Sequence, residues 1–356
     1  MGTGTGSAAQ GGGLVAMVLC AGLGTRLRPL THRLPKPAAP LGGVPLVRWT
    51  LALAAGAGAR RAVVNVHHLP EAMADAARAA GQALGLPVEV SHEPVIAGTG
   101  GALREARALL QGAEELLLLN GDVLFDVDLA AAVQAHRQAG AVATMVLLPM
   151  PAGARYNAVG TDAAGAVRRI ADEVGPGGPG LRPWHFSGVH VLSGALLDHL
   201  PAAPFEADVL RKVYPPFLER GLVHGHVVEG YWNDLGSPDR YLAANRDLLA
   251  GRVPRARFAG ADPFRAARLV APGVAAGEGA LIAPGARVVG PVLLGPGARV
   301  AAGAEVGPEV VLGAGAVVPA GAVARRAVIW EGTALAPGER LEDAIAAGTD
   351  RVRASP

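Results

Sequence analysis

The sequence of 356 residues predicts two domains: an α/β domain whose mostly parallel sheet carries helices on both faces, followed by a repetitive β domain. Three observations predict this arrangement. Short apolar runs alternate with helical patterns from residue 14 to about residue 150. The pattern then loosens into hairpins, loops and helices up to residue 251. From residue 270 onward the chain instead follows a period of six residues.

Composition excludes several classes of protein. Apolar residues make up 51% of the chain and charged residues 17%, which favours packed cores over disorder. The 32 basic and 30 acidic residues leave a net charge of +2, too small to indicate nucleic acid or a membrane as a partner. Apolar runs all fall short of the roughly 18 residues of a membrane-spanning helix. The single cysteine, Cys20, excludes an intrachain disulfide and fits a reducing compartment, so we expect a cytoplasmic protein.

The first element is a tail. Residues 1–13 are rich in Gly, Thr and Ser and carry neither a basic start nor a cleavable apolar stretch. We expect this segment to be a flexible tail rather than a signal peptide.

Strands and helices alternate in the next segment. Strands are predicted at residues 14–20, 61–67, 88–92, 115–119 and 141–149, and helices at residues 45–55, 70–80, 100–110 and 129–139. A glycine follows each helix, at Gly56, Gly81, Gly112 and Gly140, as helix ends require. Alternation of this kind predicts a mostly parallel sheet, with ligands at the carboxyl ends of its strands.

The remainder of the first domain is less regular. A hairpin is predicted at residues 154–171 around a turn at 162–165, then a Gly/Pro-rich loop at 174–183. Strands at 185–192 and 223–229 and helices at 194–200 and 206–220 follow. Ser237 and Pro238 then open a helix that runs to Ala250, with Gly251 beyond it. The first domain is therefore expected at residues 14–251, and a linker at residues 252–269.

Eleven consecutive hexads without an insertion occupy residues 270–335. Their first position is Val, Ile or Leu in eight of the eleven, and their fifth position is always Ala or Val. Val274, Val292, Val310 and Val328 lie 18 residues apart, so a chain with three sides per coil would stack them above one another. This pattern resembles the left-handed β-helix of hexapeptide-repeat proteins and predicts one at residues 270–340, followed by a C-terminal tail at 341–356. A disordered Ala/Gly/Pro-rich segment is the alternative.

A glycine-rich loop follows the first strand. Residues 21–31 read A-G-L-G-T-R-L-R-P-L-T, and residues 35–37 read P-K-P. Gly22 and Gly24 allow a sharp turn that aims several amides into one concavity, which suits phosphate oxygens. Arg26 and Lys36 add positive charge, and lysine is rare here, since only Lys36 and Lys212 accompany thirty arginines.

Two familiar phosphate loops do not match this segment. A dinucleotide-binding fingerprint needs a third glycine where Leu27 stands, and Pro29 follows it. A Walker loop, G-x-x-x-x-G-K-S/T, is not present. By itself the segment is also compatible with a tight turn that binds nothing.

Three further motifs come in order. Residues 93–101 read E-P-V-I-A-G-T-G-G, residues 120–122 read N-G-D after a buried strand, and residues 231–238 read Y-W-N-D-L-G-S-P. Singly, each has a structural interpretation: a glycine-rich helix start, a turn aspartate at Asp122 and a loop acid at Asp234. Together they indicate a site.

In this order the motifs resemble the sugar-1-phosphate nucleotidyltransferases, also called NDP-sugar pyrophosphorylases, over about residues 14–250. The resemblance implies a Rossmann-like nucleotidyltransferase domain, and many members also carry a β-helix. It implies that Arg26 and Lys36 stabilise charge on the phosphates during transfer, and that Asp122 and Asp234 hold Mg²⁺. The nucleotide-binding residues implied are Ala21, Gly22, Gly24, Thr25, Glu93, Gly98 and Thr99.

The sugar side departs from the family pattern. The resemblance implies sugar-phosphate contacts at Glu173, Ser187 and Gly188, but Val174 stands where many relatives have a lysine. Arg168 or Arg182 is a candidate to replace that charge. On the sugar side the chain resembles mannose-1-phosphate guanylyltransferases and N-acetylmuramate-1-phosphate uridylyltransferases more than other members of the family. The base and the sugar both stay open.

The expected reaction joins an NTP and a sugar 1-phosphate and releases pyrophosphate. A catalytically silent subunit that senses nucleotide sugars is one alternative, and an acyltransferase built on the β-helix is another. Such acyltransferases generally use a histidine near the coils, and none occurs from Val227 to Pro356. The β-helix is therefore expected to support regulation or the assembly of a homo-oligomer.

Overall fold

A computed structural model of the chain describes residues 13–151, 158–171, 174–202 and 208–354. Most of the predicted N-terminal tail, the start of the predicted hairpin and Glu173 lie outside the described residues. Each helix in the described part is too short or too polar to cross a membrane.

The first domain consists of strands and helices in alternation. Its strands are β1 Leu14–Leu19, β2 Pro40–Leu41, β3 Val44–Pro45, β4 Arg61–Val66, β5 Val88–His92, β6 Glu115–Asn120, β7 Leu124–Phe125, β8 Ala143–Leu148, β9 Ala158–Thr161, β10 Val167–Ile170, β11 Arg182–Ser193, β12 Val223–Val227 and β13 Trp232–Asn233. Its α-helices are α1 Leu46–Gly56, α2 Pro70–Leu84, α3 Gly98–Glu105, α4 Arg107–Leu110, α5 Leu129–Ala139, α6 Pro215–Glu219 and α7 Pro238–Leu249.

Short segments of other helix types join these elements. They are 3-10 helices at Thr25–Leu27, Leu30–His32, Lys36–Ala38 and Gly194–His199, and a π-helical turn at Val209–Val213. The predicted helix at 206–220 is thus two pieces in its described part. Pro215 and Pro216 have no amide hydrogen to continue a helix and instead begin α6.

The main sheet is mostly parallel, as predicted. Its strand order is β5-β4-β1-β6-β11-β8-β12, and β11 alone among these strands runs antiparallel to its neighbours. The hairpin β9-β10 extends the sheet at the start of β11. Helices α1, α2 and α5 cover one face, and α3, α4 and α6 cover the other. Alternate residues of β1 enter these two cores, Ala16 and Val18 on one face, Val15 and Met17 on the other.

Helix ends differ from the prediction at two glycines. Gly140 ends α5 with φ +56°, as expected, but Gly81 lies inside α2, which continues to Leu84. A Cβ at Gly81 would lie 2.4 Å from Val88 Cγ2, so this glycine allows α2 to pack closely on β5. Gly56 is the last residue of α1 rather than a residue beyond it.

The repetitive domain is a parallel β-helix with hairpin strands at its ends. Its strands are β14 Arg268–Ala271, β15 Val274–Ala276, β16 Leu281–Ile282, β17 Arg287–Val288, β18 Val292–Leu294, β19 Arg299–Val300, β20 Glu305–Val306, β21 Val310–Leu312, β22 Val317–Val318, β23 Val323–Arg325, β24 Ala327–Ile329, β25 Arg340–Glu342, β26 Ala344–Ala347 and β27 Asp350–Arg353. They form three sides, in the orders β14-β15-β18-β21-β24-β26-β27, β16-β19-β22 and β17-β20-β23-β25.

The predicted stacking of the hexads is right for two coils and wrong for the third. Val274 pairs with Val292 and Val292 with Val310, each 18 residues apart. Val310 then pairs with Ala327 rather than Val328, because the chain drops one residue after β23. Val328 consequently points outward.

The segment predicted as a C-terminal tail, residues 341–356, instead forms strands where the structure describes it. Its described part contains the end of β25 and the antiparallel pair β26-β27, and Ala344–Ala347 is buried. An apolar run followed by a turn at Gly348 and Thr349 is typical of a hairpin rather than a tail.

One side of the β-helix packs against the first domain. The outward residues Leu293, Val311, Val328 and Ile345 lie in the same hydrophobic core as Leu248 of α7. The segment predicted as a linker contributes 3-10 helices at Ala256–Phe258 and Pro263–Arg265, and the ring of Phe258 packs edge-on against Trp49 at 5.1 Å. The β-helix is therefore anchored on the domain that carries the predicted site.

Candidate active site

The glycine-rich loop forms one wall of a cleft at the carboxyl end of the parallel strands. Gly24 has φ +58°, and a Cβ there would lie 2.9 Å from Thr31 Cγ2, so the turn requires glycine. The hydroxyl of Thr31 donates to the carbonyl of Gly24 at 3.0 Å and fixes the turn. The cleft has a volume of about 230 Å³. Its lining residues are Leu19, Ala21, Gly22, Gly24, Lys36, Pro37, Asn65, Glu93, Ile96, Gly98, Thr99, Asn120 and Asp122.

Lys36 connects the loop that carries Asp122 with the loop that carries Asp234. It is 5% exposed, although lysine is seldom buried. Its ammonium donates to Asp122 Oδ2 at 2.8 Å and to the carbonyl of Asp234 at 2.6 Å. The Asp122 side chain is 41% exposed and faces the cleft. The predicted catalytic lysine and both predicted metal ligands therefore lie together.

Asp234 is held in its charged form. Its Oδ1 accepts from Arg240 Nη1 at 2.6 Å and from the amide of Gly236 at 3.2 Å. Burial raises the pKa of Asp234, but the hydrogen bond and charge of Arg240, with the Gly236 amide and the Lys36 charge, outweigh it and lower that pKa. The carboxylate stays ionised at neutral pH.

Arg26 lies beside the same loop. A Cβ at Gly236 would come within 2.8 Å of Arg26 Nη2, so the guanidinium packs on the backbone two residues after Asp234. Arg26 is exposed on the 3-10 helix that begins at Thr25. Its positive charge faces solvent at the edge of the site, next to Asp234. Lys36 and Asp122 line the cleft. Arg26 and Asp234 lie beside it, Arg26 against the Gly236 backbone and Asp234 through its carbonyl, which accepts from Lys36.

The opposite wall is organised by Glu93. Its carboxylate is 1% exposed, accepting from Asn65 Nδ2 at 2.7 Å and from the amide of Ala97 at 3.1 Å. Asn65 Oδ1 in turn accepts from the amide of Cys20 at 2.7 Å. Glu93 therefore links the start of α3 to the glycine-rich loop, and its carboxylate is engaged by these internal partners.

Gly98 and Thr99 form the N-terminus of α3 and line the cleft. Thr99 Oγ1 accepts from the amide of Val209 at 2.8 Å, which ties α3 to the π-helical turn. Thr25 is exposed at the start of its 3-10 helix. All of the predicted nucleotide residues except Thr25 thus line the cleft.

The side chain of Ser187, a predicted sugar-phosphate residue, is engaged within the sheet. Its hydroxyl is fully buried, donates to the carbonyl of Val146 at 2.7 Å and accepts from the amide of Val189. Gly188, with φ +87°, lies against Asn120, since a Cβ would come within 2.6 Å of Asn120 Nδ2. This irregular point in β11 lets the Asn120 side chain reach the cleft.

The remaining sugar-side candidates divide. Glu173 lies outside the described residues. The Arg168 guanidinium donates to Asp162 Oδ2 at 2.8 Å, across the turn of the β9-β10 hairpin. That ion pair commits Arg168 to the hairpin. Arg182 is exposed at the start of β11.

Two residues of this site, Asn65 and Arg240, belong to none of the sequence motifs that predicted it. Asn65 could have been noticed as a polar residue within the apolar run of β4, because a buried amide in a strand needs a hydrogen-bond partner. For Arg240 the available signal is its position in the first turn of α7, six residues after Asp234.

The oxygen donors suited to a divalent cation are the carboxylates of Asp122 and Asp234. In the described ranges, no group of three or more His, Cys, Asp or Glu side chains surrounds a common point. Mg²⁺ commonly takes one or two carboxylates and completes its shell with phosphate oxygens and water. Asp122 lines the cleft and Asp234 lies beside it, and this pair of carboxylates fits that donor set.

Comparison with known proteins identifies the family of this chain. The family model described as nucleotidyl transferase matches residues 15–251. A mannose-1-phosphate guanylyltransferase of Mycobacterium tuberculosis is 32% identical over 77% of this chain and 74% of its own length. A UTP–glucose-1-phosphate uridylyltransferase of Synechocystis is 29% identical over 94% of this chain and 87% of its own. The family model covers the whole of the first domain, whose cleft contains the buried Lys36. The chain therefore belongs to the nucleotidyl transferase family.

Proposed function

We propose that the protein joins a nucleoside triphosphate and a sugar 1-phosphate into an NDP-sugar and releases pyrophosphate. The observation that carries this proposal is the buried ammonium of Lys36, bound to the Asp122 carboxylate and the Asp234 carbonyl beside a glycine-rich loop. The names of the similar proteins from Mycobacterium tuberculosis and Synechocystis support the same reaction class.

The chemistry explains the residues at the site. An oxygen of the sugar phosphate forms a bond to the α-phosphorus of the nucleotide, and the bond from that phosphorus to the pyrophosphate oxygen breaks. The attacking oxygen already carries negative charge, so no protein base is needed. The protein must instead bring two anions together and neutralise the charge that develops. Arg26 and Lys36, with amides of the loop around Gly22, supply that positive field.

Asp122 and Asp234 would hold Mg²⁺ in this proposal. A bound magnesium ion supplies further positive charge to the phosphate oxygens. Lys36 orients the Asp122 carboxylate and Arg240 orients that of Asp234. Both carboxylates are therefore held in fixed orientations before substrate binds.

The substrate pair is tested directly. Pyrophosphate release by the full chain is measured with GTP and mannose 1-phosphate, UTP and glucose 1-phosphate, and UTP and N-acetylmuramate 1-phosphate. We expect sustained release with one pair and much slower release with the others. If no pair releases pyrophosphate while a nucleotide sugar raises the melting temperature, the protein is instead a sensor that binds without catalysis.

We also propose that two copies associate through the first coil of the β-helix. Three large apolar residues at that end, Leu269, Val270 and Leu281, are 74%, 55% and 58% exposed. In the described chain, β16 and β17 each pair with a strand on one side only. A two-fold axis at this end places like edges antiparallel, so a second copy can pair with these edges and cover the apolar residues.

A further inference from the structure

The C-terminal hairpin contacts the loop between Arg26 and Lys36. Arg33 Nε donates to Asp350 Oδ2 at 2.5 Å, and Arg33 Nη2 donates to Thr349 Oγ1 at 2.9 Å. A Cβ at Gly348 would lie 2.9 Å from Arg33 Nη1, so the guanidinium lies directly on the turn between β26 and β27. The two partners are more than 300 residues apart in sequence, with a separation of 317 between Arg33 and Asp350.

A second contact reaches the same loop from its other end. The hydroxyl of Tyr241 donates to the carbonyl of Pro40, four residues after Lys36. Trp330 Nε1 of the β-helix donates to that hydroxyl at 3.0 Å, and both aromatic residues are buried. Trp330 faces outward because of the one-residue drop after β23. The irregularity in the repeat therefore brings a β-helix side chain to the support of the Lys36 loop.

Helix α7 connects both contacts to Asp234. Arg240 in its first turn binds the Asp234 carboxylate, and the next residue, Tyr241, binds Pro40 and Trp330. Further along α7, Arg246 donates to Asp343 of the β-helix at 2.5 Å. The last coil, α7 and the two catalytic loops thus form one connected set of contacts.

The Arg33–Asp350 pair contributes little to folding by itself. The two side chains are 43% and 29% exposed, and ion pairs in such positions are weakly stabilising. Arg33 nevertheless lies between Arg26 and Lys36 on the loop that carries both. Because of that place, we expect the pair to affect the position of the loop more than the overall stability of the fold.

We propose that the last coil of the β-helix positions the catalytic loop, with Arg33, Asp350 and Trp330 as positioning residues. This inference rests on the proposed function for its effect on rate. Arg33 and Asp350 hold the loop between the two cationic residues, and Trp330 fixes its far end through Tyr241. Small displacements of Lys36 lower the rate because catalysis depends on the alignment of the reacting groups.

The test combines a structural and a kinetic measurement on the full chain. Arg33→Ala and Asp350→Ala should each speed hydrogen–deuterium exchange in residues 30–38 without substrate. Each should lower kcat about tenfold, since misplacement by about 1 Å reduces rates by up to about 10²-fold. The double variant should be no slower than either single variant, because both break the same contact. Trp330→Phe, which keeps an aromatic ring and removes the N–H donor, should speed exchange in residues 38–42.

Arg340→Ala is the matched control. Arg340 lies in β25 of the same last coil and pairs with Glu342 at 3.1 Å, within the β-helix. It should leave both exchange in the loop and kcat unchanged. Equal loss in Arg340→Ala, or unchanged exchange and kcat in Arg33→Ala and Asp350→Ala, overturns the inference. If the unmodified chain releases no pyrophosphate, the proposed function fails, and the exchange measurement alone then decides whether the hairpin holds the loop.

Discussion

Lys36 donates a hydrogen bond to Asp122 at 2.8 Å across 86 residues of sequence. The pair unites the loop after β1 with the loop after β6, and β1 and β6 are neighbouring parallel strands. The carboxyl ends of such strands meet at one edge of the sheet, where open α/β sheets bind their ligands. The site therefore follows from the strand order.

Gly24→Ala should destabilise the protein. A left-handed backbone costs a non-glycine residue about 1–2 kcal/mol, and the new Cβ would also meet Thr31 at 2.9 Å. Denaturant unfolding measures the loss. Gly22→Ala is the control for stability, because a Cβ at Gly22 has no neighbour within 4 Å. Equal unfolding free energies for the two variants would refute the proposed strain.

Arg240→Met should move the acidic limb of the pH–rate profile to higher pH. The guanidinium lowers the pKa of Asp234, so its removal raises that pKa and leaves the carboxylate protonated over a wider acidic range. The rate of pyrophosphate release is measured as a function of pH. Arg252→Met, which breaks an exposed pair with Asp247 after the end of α7, should leave the profile in place. A superimposable profile for Arg240→Met would count against the role of Arg240.

His190→Gln should reduce the loss of stability at acidic pH. Burial lowers the pKa of His190 to about 3, so the folded state keeps it neutral while the unfolded state takes up a proton below about pH 6.5. The free energy of unfolding then decreases as the pH is lowered, by about 2 kcal/mol from about pH 7.5 to about pH 5. Unfolding free energies at both pH values, for both proteins, check this. An identical decrease in the variant would rule out His190 as its source.

Leu281→Lys should reduce the molar mass in solution. The charge would be buried if two copies meet at the first coil, so the complex should dissociate to a chain of 35.9 kDa. Light scattering after gel filtration measures the mass. Val227→Lys, at an exposed apolar position of the first domain, is the control. A mass of one chain for the unmodified protein would contradict the proposed association.

Local patterns predicted much of this fold. The bounds of β5 and α5 match the sequence prediction, because regular apolar spacing and a terminal glycine specify them. The outward turn of Trp330 was not predictable, since no hexad reveals where a coil loses one residue. The hydrogen bond from the buried Ser187 hydroxyl to the Val146 carbonyl was not predictable, because it depends on which strand lies beside β11. The pairing of Arg33 with Asp350 likewise depends on how two distant segments pack.

The most direct test of the account is the rate of pyrophosphate release by Asp122→Asn. The substitution keeps the size of the side chain and removes the charge that Lys36 binds in the cleft. The expected rate is about 10²–10³-fold below that of the unmodified chain, with little change in melting temperature. Asp198→Asn, which breaks an exposed pair with Arg107 away from the cleft, should keep full activity. A rate for Asp122→Asn above about a tenth of the unmodified value would contradict the role of this carboxylate.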